Sequence, residues 1–155
     1  MAAAAERFTA RAAALGVEVD ARRFPQGTRT ATDAAAAIGC DVAQIVKSLV
    51  FIADDQPVLA LTSGANRVDE TKLATAVGAE RVRKATAEEV RTATGYAVGG
   101  TPPFGHDRAL PVLCDRDLTW LEVVWAAAGT PMDVFAIRPG QLVQVTGARI
   151  VDLAG

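Results

Sequence analysis

Four glycines and two consecutive prolines fall within residues 94–105, TGYAVGGTPPFG. Proline lacks the amide donor and glycine gives up the most backbone entropy on ordering, so this run is neither a regular helix nor a central strand. It reads as a loop stiffened by Pro102 and Pro103. Glycine lets a ligand come within backbone distance, so Gly99, Gly100 and Thr101 are candidates to present amide donors to a developing oxyanion or a phosphate. A surface hairpin of awkward turn geometry is the plainer alternative for the loop taken alone.

The rest of the chain alternates strand and helix patterns around this loop. Residues 45–52, IVKSLVFI, form the strongest strand signal, and 57–62 pairs with it as a hairpin across Asp54 and Asp55. Further strands are expected at 17–24, 81–83, 109–114, 120–127 and 134–137. Helices are expected at 2–15, from Thr32 or Asp33 to Ile38, at 69–77, behind a Thr86-x-x-Glu89 capping box, and behind Pro139. Strands that follow one another directly imply a mixed or antiparallel sheet with helices packed outside. At 155 residues, with no repeat or linker, the chain is expected to be one domain spanning 1–155.

Composition excludes several classes. No apolar run approaches the ~20 residues of a membrane span, which points to a cytoplasmic protein with no membrane partner. Cys40 and Cys114 belong to no metal or disulfide pattern, so no metal or cofactor is expected and both read as small buried hydrophobes. A net charge of −2 argues against a protein that coats nucleic acid through a basic field. Thirteen arginines stand against three lysines, so the position of each lysine carries information. P-loop, dinucleotide-binding, GxSxG and HExxH motifs are absent from the sequence.

Lys47 lies in the middle of an otherwise apolar strand, with Ser48 beside it on the opposite face. An edge-strand lysine with its stem packed and its ammonium in water is one reading; a cation at a pocket floor, facing a phosphate, carboxylate or carbonyl, is the other. His106, the sole histidine, follows the loop but has no Ser or Cys nucleophile in a recognised motif beside it. Asp133, behind Gly129-Thr130-Pro131, is a further polar candidate. Arg67, Asp69 and Lys72 read as a solvated edge leading into a helix.

Three segments together resemble the YbaK/prolyl-tRNA-synthetase-associated editing domains, small aminoacyl-tRNA deacylases. They are IVKSLVF with Lys47, GYAVGGTPPFG followed by ALPVLCD, and AAAGTPMDVFAIRPGQL. The resemblance implies an α/β (α+β) fold with a mixed, largely antiparallel, barrel-like sheet surrounded by helices. It implies hydrolysis of the ester joining a wrong amino acid to the 3′ end of a tRNA, with Cys- or Ala-tRNA(Pro) as model substrates. By resemblance Lys47 is functionally required and the segment Gly99, Gly100, Thr101, Pro102, Pro103 lines the amino-acid pocket.

On this reading Lys47, Gly99, Gly100 and Thr101 are the catalytic set, and Ser48, Pro102, Pro103, Phe104, Gly105, Gly129 and Asp133 contact substrate. The expected partner is the 3′ acceptor end of an aminoacyl-tRNA, with a prolyl-tRNA synthetase as the candidate protein partner. Without attached synthetase motifs the chain is expected to act freestanding, in trans, as a monomer or a homodimer. A non-catalytic tRNA or synthetase accessory domain and a small aminoacyl-ester hydrolase are the alternatives.

Overall fold

The two strands most strongly marked in the sequence lie inside the larger of two sheets. A computed structural model describes residues 4–28 and 30–155, so positions 2 and 3 of the expected first helix fall outside the described residues. In chain order the first half contains α1 (Ala4–Ala14), β1 (Arg22–Arg23), α2 (Ala31–Ile38), β2 (Val46–Ala53), β3 (Gln56–Ser63) and α3 (Glu70–Val77). The second half contains β4 (Val82–Lys84), α4 (Ala87–Thr94), β5 (Val112–Asp115), β6 (Val124–Ala127), β7 (Asp133–Ile137), α5 (Pro139–Thr146) and β8 (Arg149–Val151).

β2 and β3 form the expected hairpin, in register from Val46 opposite Ser63 to Ala53 opposite Gln56. Asp54 takes a positive φ of 53° at the turn, and its carboxylate accepts from the Glu80 and Arg81 amides, tying the hairpin tip to the start of β4. The larger sheet runs β4-β2-β3-β5-β8 and the smaller one β1-β7-β6. The β3–β5 and β5–β8 pairings are parallel and the other four are antiparallel, so the sheet structure is mixed and largely antiparallel as expected. The two sheets meet at a bridge between Ile45 and Trp125, and among the described residues no ring of strands closes around the barrel-like form.

Strand alternation decides which layer each residue serves. Val46, Val50, Leu59 and Leu61 face the smaller sheet and share a core with its Val124, Ala126, Phe135 and Ile137. Phe51, Ala53, Val58 and Ala60 face the other way, onto Leu73 of α3 and Leu153. α1 covers one end of the inter-sheet core, with Phe8 and Ala12 fully buried.

Several boundaries differ from the sequence expectation. Of 17–24, only Arg22 and Arg23 pair, with Val134 and Asp133; Val17 instead closes the end of α1 by donating its amide to the Ala12 carbonyl. Residues 120–123 are not strand, because Asp115 caps a 3₁₀ turn, Arg116–Trp120, that buries Leu118. β5 begins at Val112, and α2 is capped by Thr30 rather than Thr32 or Asp33. β8 has no counterpart in the sequence reading. The Thr86 capping box and Pro139 at the first turn of α5 form as expected, and Asp69, expected as the first residue of α3, is instead its N-cap.

Candidate active site: an open strand edge beside two glycine loops

β2 is paired along its whole length on one side only. β3 accompanies it throughout, whereas β4 reaches only Phe51, Ile52 and Ala53 before Thr86 turns the chain into α4. The Gly64 amide donates to the Ile45 carbonyl and the Ala85 amide to the Val50 carbonyl. In an antiparallel ladder this fixes the direction of every backbone group, so odd-numbered residues of β2 bond to β3 and even-numbered ones turn their N–H and C=O outward. Around Ser48 that outward edge has no strand beside it among the described residues. A cleft of about 520 Å³ opens there, bounded by β2, the end of β4, α2, the start of α4, the smaller sheet and part of the glycine loop.

Lys47 and Ser48 both border this cleft. The Ser48 hydroxyl is buried and has no hydrogen-bond partner among the described residues. Lys47 pairs across the ladder with Thr62, and its ammonium donates to the carbonyl of Asn66 at 2.5 Å. That turn is itself held: the buried Asp115 carboxylate accepts from the Ser63 amide at 3.1 Å and from the Asn66 side chain at 2.8 Å. Burial lowers the pKa of Lys47, nearby Arg67 and Lys84 lower it further, and Asp115 opposes them. The lysine is therefore a half-buried cation with a neutral partner.

Of the glycine loop, Val98, Gly99 and Thr101 line the cleft. Gly99 has φ +87°, which favours glycine, and none of the described backbone hydrogen bonds uses the Gly99 or Thr101 amide. The Gly100 amide is committed to the Ala97 carbonyl, which also accepts from the Thr101 hydroxyl. Gly100 packs so closely on the neighbouring loop that a Cβ there would sit 2.7 Å from Thr130 Cα. It shapes the wall without entering the lining.

The remaining expected substrate contacts lie away from the cleft, because their surfaces are already used. Phe104 stacks in the core with Phe8 at 5.2 Å and Phe135 at 5.9 Å, while Pro102 and Pro103 are buried outside the lining. Gly105 rests on Phe8 and Arg11, and Gly129 on the backbone of Ala4. Asp133 is buried, paired with Arg23 at 3.1 Å and accepting from the Thr130 hydroxyl. It anchors the 129–133 loop. The two glycine loops share one support, α1: Arg7 donates to the Gly95 carbonyl and stacks on Tyr96, while Arg11 donates to the Gly105 carbonyl and pairs with Asp107 at 2.8 Å.

His106 also serves the loop. Its Nε2 lies 2.7 Å from the Pro102 carbonyl, which can only accept, so Nε2 carries the hydrogen and donates there, and burial lowers the pKa of the ring. Cys114 is buried, with its thiol pushed up to about 12 by burial, whereas Cys40 is only partly covered. Lys72 pairs with Asp152 at 2.9 Å and Asp69 caps α3, in keeping with a solvated edge. Among the described residues no three His, Cys, Asp or Glu side chains come together as a metal set, and no helix is long and apolar enough to cross a membrane.

Sequence reasoning missed Lys84, Thr28, Thr30 and Trp125, which also line the cleft. Lys84 was legible as one of three lysines, but the others come from segments without a motif, brought in by the smaller sheet and α2.

A model of the aminoacyl-tRNA editing domain matches residues 25–145. A crystal structure of a protein put forward as a trans-editing enzyme for prolyl tRNA synthetase superposes with a TM-score of 0.94 at 43% identity, covering 100% of this chain and 99% of that one. The proline–tRNA ligase of Solidesulfovibrio magneticus is 35% identical over 130 residues, covering 81% of this chain and 22% of that protein. That of Ligilactobacillus salivarius is 39% identical over 90 residues, covering 58% and 16%. The chain thus spans between 16% and 22% of the length of these curated relatives.

Proposed function

This chain belongs to the aminoacyl-tRNA editing domain family, and from that premise we propose that it hydrolyses, in trans, the ester of a mischarged tRNA, with Ala-tRNA(Pro) and Cys-tRNA(Pro) as the substrates to try first. The observation that carries the reading is the single cleft bordered by Lys47, Ser48, Gly99 and Thr101. Its volume of about 520 Å³ lies within the range of small-molecule sites, enough for a terminal nucleoside bearing a small amino acid.

An aminoacyl ester is already activated, so positioning and oxyanion stabilisation suffice without a triad. A water oxygen adds to the ester carbonyl carbon and the carbonyl oxygen takes the negative charge. Collapse breaks the bond to the ribose oxygen, which leaves with the proton that water gave up. Lys47 supplies positive charge beside the ester or the terminal adenosine, and the Gly99 and Thr101 amides are the loop donors left for the oxyanion. The unpartnered Ser48 hydroxyl takes a polar group of the amino acid.

Apolar walls from Ala31, Ala34, Ile45, Ala126 and Val134 exclude by size. Such a wall shuts out a larger side chain more readily than it rejects a smaller one. The test is a deacylation panel across mischarged and correctly charged tRNAs, with free aminoacyl esters in parallel. Turnover of one or a few mischarged tRNAs is expected. Turnover of the free esters alone would make the protein a small-ester hydrolase, and none in any arm would make it an accessory domain.

A further inference from the structure

Two of the chain's three lysines, Lys47 and Lys84, border the same cleft. Lys84 is the last residue of β4 and pairs directly with Phe51, which puts its side chain on the same face of the sheet as Lys47. Lys47 and Phe51 are four residues apart on β2, about 13 Å at ~3.3 Å per residue. Beyond Lys84 the chain leaves the sheet for the Thr86 cap, so Lys84 stands where the strand edge becomes open.

The acids near these cations are oriented by other partners, and none is ion-paired to Lys47 or Lys84. Glu89 of α4 is held by both guanidinium nitrogens of Arg83, at 2.7 and 2.8 Å, and by the Thr86 amide. Asp115 is turned inward onto the Ser63 and Asp117 amides and the Asn66 side chain. Asp117 also accepts from Asn66. The ion pairs among the described residues join Arg11, Arg23, Lys72 and Arg83 to carboxylates, and none of them involves Lys47, Arg67 or Lys84. Arg67 and Lys84 act on Lys47 as neighbouring cations and Asp115 as the opposing anion, so in a chain of net charge −2 the cleft mouth still gathers more positive than negative charge.

We propose that Lys84 is a phosphate-binding residue for the single-stranded 3′ end of the substrate, contacting the phosphodiester on the 5′ side of the terminal nucleoside while Lys47 stands at the ester. The inference rests on the functional reading above and deepens it. The interval between the two lysines along β2 is longer than one nucleotide from its 3′ oxygen to its 5′ phosphorus, and the long flexible stem of Lys84 makes up the difference. Lys84 is exposed, so it lends the site charge without serving the core. Its contribution is binding energy from a part of the substrate that does not react, felt equally in the ground and transition states.

The experiment compares Lys84→Gln and Lys84→Arg with the wild type on two substrates with the same amino acid: a mischarged tRNA from the panel, and the aminoacyl-adenosine, which has no phosphate. On the tRNA, Lys84→Gln is expected to raise KM about fivefold to tenfold with kcat within about twofold, and to make the log–log salt dependence of kcat/KM shallower by about 0.7. On aminoacyl-adenosine it is expected to change nothing, and Lys84→Arg is expected to restore the tRNA value, since a guanidinium also binds phosphate. An unchanged KM for tRNA, or an equal loss on aminoacyl-adenosine, would overturn the assignment. A wild-type protein that hydrolyses neither substrate would overturn the functional reading itself.

Discussion

The ammonium of Lys47 donates to the backbone carbonyl of Asn66 at 2.5 Å. A carbonyl neutralises none of the lysine's charge, so the side chain is oriented by a turn whose shape the buried Asp115 maintains, and its field stays available to a ligand.

Lys47→Ala is therefore expected to leave a folded protein and remove most deacylation. The fold keeps the ladder to β3, because the side chain lies partly in solvent and the backbone bonds remain. Lys47→Arg is expected to rescue poorly, since a planar fork does not reproduce a compact ammonium held by one carbonyl. Circular dichroism with single-turnover deacylation checks both, and undiminished turnover in Lys47→Ala refutes the role.

His106→Ala is expected to keep activity within about tenfold, below the ~10² to 10⁴ that general acid–base catalysis supplies. The ring bonds to Pro102 and does not line the cleft. Its pKa is lowered by burial, so as pH falls below the ordinary histidine value the unfolded chain takes up a proton before the folded one does. Stability is then lost between about pH 6.5 and the lower folded value, because it rises with pH wherever the unfolded state holds more protons. His106→Gln is expected to flatten that acid limb in denaturant melts at stepped pH. A large loss of turnover with a displaced pH–rate profile would make the histidine the base.

Gly100→Ala is expected to destabilise by about 1–3 kcal/mol, the usual cost of overpacking. The added carbon would lie 2.7 Å from Thr130 Cα and 3.0 Å from Pro131 N, both backbone atoms that yield only if the loop moves. Gly99→Ala meets only Pro131 Cγ at 3.8 Å, but its φ of +87° strains any side chain, so its cost is conformational. Thermal melts of the two variants, with turnover, separate the effects; a Gly100→Ala protein as stable and active as wild type would contradict the packing.

Binding of uncharged tRNA is expected to be weak and shallow in salt. With a net charge of −2, and with Arg11, Arg23, Lys72 and Arg83 already paired to carboxylates, few phosphates can be neutralised, each contributing a log–log slope of about −0.7 to −0.9. Salt titrations against an acceptor-stem helix and the full tRNA check this, and a steep slope or much tighter binding to the full tRNA would reveal an extended basic surface.

The sequence made the hairpin of β2 and β3 legible because apolar β-branched runs and an Asp-Asp turn carry their own signal. The helix behind the Thr86 box was equally plain, because a capping box is local chemistry. The cleft was legible only in part. Lys47 and Ser48 were marked as polar residues in an apolar strand, and Gly99 by its loop. Phe104, Gly105, Gly129 and Asp133 were read as substrate contacts on the family resemblance, yet here helix α1, Arg23 and Thr130 occupy them. No local pattern announces that the far end of the chain will cover a loop. β8, three residues long at the edge of the sheet, was missed for the same reason, since parallel pairing to β5 depends wholly on partners distant in sequence.

The support that α1 gives to the glycine loop has a kinetic side. Arg7 reaches Gly95 across 88 residues and Arg11 reaches Gly105 across 94. Contacts between such distant parts of a chain form only after the entropy of closing the intervening loop has been lost, which places them late in folding. On the ribosome α1 emerges before the loop and has nothing to clasp until the loop and then Phe135 have been made. The clasp on this wall of the cleft is therefore complete only once both ends of these contacts have been made.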